Sequence, residues 1–182
     1  MSMKPPEILP TPRLLLRKPR LTDAQAVFDE YARDPVATRY LLFRPHKDVG
    51  QTDEFLRARL TNWGAGEELM WGITVKPDDR LVGMIACRFN AHRVDIGYVI
   101  ARRLWGSGYM SEAVTAVADW VLAQEGIHRV WAVCDTTNTA SARVMEKAGM
   151  KREGVLKRWL VHPNISDEPR DCFVYSRVRG DT

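Results

Sequence analysis

Between residues 110 and 122 the apolar positions fall at Met110, Ala113, Val114, Val117, Ala118, Val121 and Leu122. These steps of three and four lay one stripe along a helix, with Gly126 as its stop. Elsewhere the apolar runs are shorter and read as strands. "RLLLRKP" (13–19) is the first; "LMWGITV" (69–75) and "RLVGMIACRF" (80–89) form a hairpin around the turn residues "KPDD"; "RVDIGYVIA" (93–101) extends the meander. Two helices precede the hairpin. "LTDAQAVFDEYARDP" (21–35) has Thr22 or Asp23 as its cap, and "QTDEFLRARLTNW" (51–63) has Thr52 or Asp53. Downstream come a buried strand, "RVWAVCD" (129–135), a short helix over 138–148 ended by Gly149, and strands near 154–161 and 172–178 joined by the polar "HPNISDEPR". The predicted order is β-α-α-β-β-β-α-β-α-β-β, a mixed α/β sheet. The helical crossover from strand 94–101 to strand 129–135 makes those two parallel, with a right-handed connection.

A chain of 182 residues with no repeats or linkers is expected to form a single domain, with an ordered core over about 10–178. A net charge of +4 is too small to indicate nucleic acid, although it is compatible with an anionic ligand. The three cysteines, Cys87, Cys134 and Cys172, lie in apolar strands without CxxC spacing and read as reduced core residues. The histidines, His46, His92, His128 and His162, lack metal-ligand spacing, so no metal is expected. With no signal-like apolar core and no membrane-length apolar run, the expected location is cytoplasmic.

The chemistry centres on "RRLWGSGYM" (102–110), glycines at the mouth of the long helix. A dinucleotide fingerprint fits poorly, because Ser111 occupies the third small position and the glycines lie past the strand's end. A phosphate loop of the Gly-Lys-Ser/Thr kind lacks its lysine. Glycines that only relieve a bend are the plain alternative. The remaining reading is an anion cradle, in which amides of residues 104–110 and the helix dipole surround a pyrophosphate and Gly106 and Gly108 let the backbone approach it.

"RLWGSG" matches R-x-x-G-x-G from Arg103. With "DIGYVI" before it, "GYMSEA" after it, "TNTAS" opening the next helix and "VMEKAGMKREG" at that helix's end, the chain resembles the GCN5-related N-acetyltransferases, and within them the RimJ/RimL-like branch. The resemblance runs from "TPRLLLR" to "FVYSRV". It implies a central twisted mixed sheet with two splayed parallel strands and flanking helices. It also implies acetyl-coenzyme A as co-substrate, no metal, and transfer of acetyl to a primary amine by direct attack. That amine is a protein or peptide N-terminus, or alternatively a small molecule such as an antibiotic or polyamine; a coenzyme-A-binding regulator without turnover is a third option. No nucleic acid or membrane partner is implied, and a homodimer is left open.

Carried over by resemblance, Arg103, Leu104, Trp105, Gly106, Ser107, Gly108, Tyr109 and Met110 hold the pyrophosphate. A main-chain amide near Val99 and Ile100 polarises the thioester. Asn138 and Ser141, at i and i+3 of one helical face, meet the cofactor arm, where Ser141 donates a proton to the thiolate. The residue-level alternative is that Asn138 or Thr137 only caps the helix and that Ser141 is a surface polar residue. Met145 departs from the pattern, since many relatives carry a tyrosine acid near it. Asp95, where relatives carry glutamate, is the candidate base. An ordinary Asp pKa near 3.9 is low for that role, so burial or a bridging water is required. Glu68 is the second candidate.

Overall fold

The computed structural model describes residues 5–66 and 68–180. Its elements are β1 (Ile8–Pro10), β2 (Leu14–Arg17), α1 (Ala24–Val27, continued by a π turn over Phe28–Ala32), α2 (Val49–Ala65), β3 (Glu68–Val75), β4 (Leu81–Asn90), β5 (Arg93–Ile100), α3 (Tyr109–Ala123), β6 (Arg129–Asp135), α4 (Thr139–Lys147), β7 (Lys151–Val161) and β8 (Pro169–Val178). All eight strands join one sheet in the order β1-β2-β3-β4-β5-β6-β8-β7. The expected mixed α/β architecture is present. One strand was not foreseen: β1 is three residues long and ends on a proline, too short to show a period, and it pairs antiparallel with β2.

Helix starts differ from those expected. Asp23 does not cap forward; its carboxylate accepts from the Arg20 amide at 2.7 Å and pairs with the buried Arg17 guanidinium at 2.7 and 2.9 Å. α2 begins earlier than expected, capped by Asp48, whose Oδ1 accepts from the Gln51 amide at 3.0 Å. Thr52 lies inside that helix and is buried with its hydroxyl 2.8 Å from His46 Nδ1, while Asp53 pairs with Arg57. α3 follows its predicted stripe, with Met110, Ala113, Val114, Val117, Ala118 and Val121 all buried. The four larger of these side chains each contribute about 1.5–3 kcal/mol of burial.

The sheet has two covered faces. α3 and α4 pack on the side to which Val94, Ile96 and Ile100 point; α1 and α2 pack on the other, against Met84, Ala86 and Val99. β5 and β6 run parallel, as expected, but pair only at Arg93–Arg129, Val94–Val130 and Asp95–Trp131. Beyond that point they diverge.

The direction of the backbone in this gap follows from its neighbours. β5 pairs with β4 in unbroken register, and the Ala101 amide donates to Val82 O at 2.8 Å. Counting back by twos, the amides of Val99 and Gly97 also face β4, whereas those of Tyr98 and Ile100 face the gap. On β6, the Thr136 amide donates to Asp171 O on the β8 side, which turns the backbone of Val133 towards β5. Two unpaired edges therefore face one another.

Candidate active site

The wide end of the gap leads to the glycine loop. After β5, a 3₁₀ turn over Arg102–Leu104 consumes two amides: Leu104 N donates to Ala101 O and Trp105 N to Arg102 O. Gly106 and Gly108 both adopt left-handed backbone, φ +78° and +80°, and Gly108 is the N-cap of α3. Among the described residues, the amides of Gly106, Gly108, Tyr109, Met110 and Ser111 donate to no backbone carbonyl. Five open N–H groups at the start of a 15-residue helix suit an anion. Of the expected 104–110 cradle, Leu104, Trp105 and Ser107 thus do not offer amides, the Ser107 amide donating to Leu104 O at 3.4 Å.

Side chains of the loop are tied down individually. The Trp105 indole donates to Ile100 O at 3.1 Å, and Ser107 Oγ donates to Leu104 O at 2.5 Å. Arg103 is turned away from the loop, its Nε 2.9 Å from Glu30. Met110 is buried in the core, so only its backbone reaches the loop surface.

A clamp that sequence reasoning did not single out fixes the loop to the first strands. Glu112, in the first turn of α3, accepts from Thr11 Oγ1 at 2.6 Å, the Arg13 amide at 2.9 Å and Arg13 Nε at 2.6 Å. Burial opposes ionisation of Glu112, but these hydrogen bonds outweigh it and hold the carboxyl below its ordinary range. Arg13 also donates to Ser107 O at 3.1 Å and lies over the Tyr109 ring, 4.6 Å from its centre. An acidic residue in a first helical turn was the available signal. Glu112→Ala is expected to cost about 2 kcal/mol in urea denaturation and to weaken acetyl-coenzyme A binding while leaving kcat nearly unchanged.

At the other lip, α4 is positioned by the turn leaving β6. Asp135 is wholly buried and accepts from the Thr137 amide and hydroxyl at 2.8 and 2.6 Å and from Arg170 Nε at 2.5 Å. Burial opposes its ionisation, yet these partners hold the carboxyl at about 2. Asn138 Oδ1 caps α4, accepting from the Ser141 amide at 3.2 Å, so its carbonyl oxygen serves the helix. Ser141 Oγ lies 2.8 Å from the Tyr98 hydroxyl of β5, spanning the gap. Met145 is fully buried beneath it.

The opposite face of the sheet carries the acids. Glu68, Arg88 and Asp95 are cross-strand neighbours on β3, β4 and β5. Glu68 gives one oxygen to Arg59 at 2.5 Å and the other to Arg88 at 3.0 Å, leaving neither free. Among the described residues, Asp95 pairs with Arg88 alone. Burial raises the Asp95 pKa above its ordinary value, with Arg88 pulling it back only in part. Asp95 is partly buried, its side chain 27% exposed. It belongs to the last β5–β6 pair, where the gap begins.

A helix mouth suited to an anion, two splayed strands with inward amides and flanking hydroxyl and carboxyl groups fit an acyl-coenzyme-A-dependent transferase. The chain belongs to the acetyltransferase (GNAT) domain family, which it matches over residues 13–151. It is 31% identical over 175 residues to the uncharacterized N-acetyltransferase YoaA of Bacillus subtilis, covering 94% of this chain and 97% of that one. A GNAT-family acetyltransferase of Bacillus anthracis superposes with a TM-score of 0.83 at 29% identity, over 96% of this chain and 99% of that one. RimL, a ribosomal L7/L12 α-N-protein acetyltransferase solved with coenzyme A, shares the fold with a TM-score of 0.83 at 20% identity, over 94% and 98%. The chain is an acetyl-coenzyme-A-dependent acetyltransferase. Among the described residues, no cluster suited to a metal ion occurs and no helix is long and apolar enough to cross a membrane.

Proposed function

We propose that this acetyltransferase acts on the α-amine of a protein or peptide N-terminus, by direct attack of the amine on the thioester. The carrying observation is the division of labour across the gap. Asp95 faces the α1–α2 side of the sheet and Ser141 the α3–α4 side, so an amine and a departing sulfur are served from opposite faces.

In this reading the open amides of Gly106 and Gly108–Ser111 bind the pyrophosphate. The gap-facing amides of Tyr98 and Ile100, and not that of Val99, bind the pantetheine arm and the thioester oxygen. A preset amide at that oxygen is worth on the order of 3 kcal/mol. Asp95 takes the amine's proton, through a water where the geometry requires it, and Ser141 donates to the sulfur. Three buried, unpaired thiols suit the reducing cytoplasm. Kinship with RimL-like folds supports a peptide acceptor. A small amine such as a polyamine or aminated antibiotic is the alternative.

Thiol release with an amine panel tests this. Peptides with free N-termini should turn over and the same peptides with blocked termini should not. Faster turnover of a polyamine or aminoglycoside moves the assignment to small molecules, and no turnover with any amine favours a binding protein.

The base has its own signature. Its raised pKa means Asp95 loses its negative charge as pH falls, at a higher pH than an ordinary aspartate. The acid limb of kcat/KM should therefore lie above the ordinary Asp pKa of about 4 and vanish in Asp95→Asn, with a rate loss of about 10² or more. A limb that survives the substitution assigns the proton to another group.

A further inference from the structure

Ser141's hydroxyl is surrounded by groups from three elements. The Tyr98 phenol of β5 lies 2.8 Å from its Oγ and 3.2 Å from the Ser141 carbonyl oxygen. Cys134 of β6 neighbours the same hydroxyl, and burial pushes its thiol up to about 12, so it stays protonated. Asn138 fixes the backbone beneath. Tyr98 lies three residues past the last β5–β6 pair, roughly 10 Å into the gap at strand spacing.

A phenol has one proton and two choices here. If it donates to the Ser141 carbonyl, the serine proton is spent on the phenol oxygen. If it donates along the shorter contact to Oγ, the serine proton is free to point into the gap. The second arrangement is the one that gives Ser141 a proton to offer. Burial raises the pKa of Tyr98, which keeps it a donor.

Resting on Ser141 as the acid, we propose that Tyr98 is a positioning residue for acetyl transfer: its phenol donates to Ser141 Oγ and directs the serine proton to the departing sulfur. As the N–C bond forms and the C–S bond breaks, the electron pair of the broken bond goes to sulfur. Sulfur takes the Ser141 proton, the amine's proton leaves to Asp95, and Ser141 is reprotonated from solvent after the thiol departs. Met145 is buried and carries no proton to give; the phenol of this chain reaches the serine from β5.

Tyr98→Phe removes one oxygen and keeps the ring. It should lower kcat roughly 10-fold with KM for acetyl-coenzyme A within about twofold, since directing a proton affects the transition state and not ground-state binding. In a Ser141→Ala background the same change should cost less than about twofold, because both act through one hydroxyl. Tyr98→Leu, which also lacks the phenol, should show the same non-additivity despite altered packing. Wild-type kcat in Tyr98→Phe alongside a slow Ser141→Ala overturns the role of Tyr98 and leaves that of Ser141 intact. Multiplicative losses in the double variant also overturn it, because Tyr98 would then act through packing. Wild-type turnover in Ser141→Ala overturns the serine assignment itself.

Discussion

Gly108→Val is expected to fold and to lose most of its affinity for acetyl-coenzyme A. The residue caps α3 at φ +80°, a conformation that costs a non-glycine residue about 1–2 kcal/mol and a β-branched one more. Space within the protein is not the obstacle, because a Cβ there would lie 3.5 Å from Arg13 Nη2, an ordinary contact. The new side chain instead stands over the open amides of Gly108 and Tyr109, the surface offered to the pyrophosphate. Losing about 2 kcal/mol of hydrogen bonding there corresponds to roughly a 30-fold weaker complex by calorimetry. The backbone strain should lower the melting temperature by about 2–8 °C. Gly106→Ala, at φ +78° with no atom within 4 Å of its Cβ position, separates strain from obstruction and should bind better than the valine variant. Undiminished affinity in Gly108→Val would show that the glycines serve only the bend.

Long-period features of the fold were legible because burial enforces them. The α3 stripe, the parallel crossover and the divergence of β5 from β6 follow from periodicity, connection length and the resemblance. What the sequence could not show is set by side-chain contacts outside any regular period. Arg17 draws Asp23, six residues on, into an ion pair and displaces a cap, and the distant Glu30 captures Arg103, the first residue of the glycine motif. The resemblance implies an amide near Val99; the hydrogen bond from Ala101 to Val82 sets the phase of β5 and turns the amides of Tyr98 and Ile100 to the gap. Tyr98 itself was legible only as an aromatic on an apolar strand, because its partner Ser141 lies 43 residues away. Both readings of Asn138 had been open, and its carbonyl oxygen proves to serve as a cap. Met145 is fully enclosed, so restoring a tyrosine there would overpack the core instead of supplying an acid.

Ser141→Ala is expected to lower kcat by about 10² to 10⁴, the usual range for a lost general acid, with acetyl-coenzyme A affinity nearly unchanged. The structure makes this a clean substitution. Asn138 caps α4 through the Ser141 amide, which alanine keeps, and alanine favours the first helical turn no less than serine. The hydroxyl's other neighbours are Tyr98, across the gap, and Cys134 of β6, neither of which holds the helix in place. Stability should therefore change by less than about 1 kcal/mol, and the loss should sit in the chemical step. It should be read from single-turnover rates, where product release cannot mask it, and it should shrink when the thioester carries a more acidic thiol, which needs less help from a proton donor. A wild-type single-turnover rate would mean that solvent protonates the sulfur and that Ser141 only completes the turn into α4.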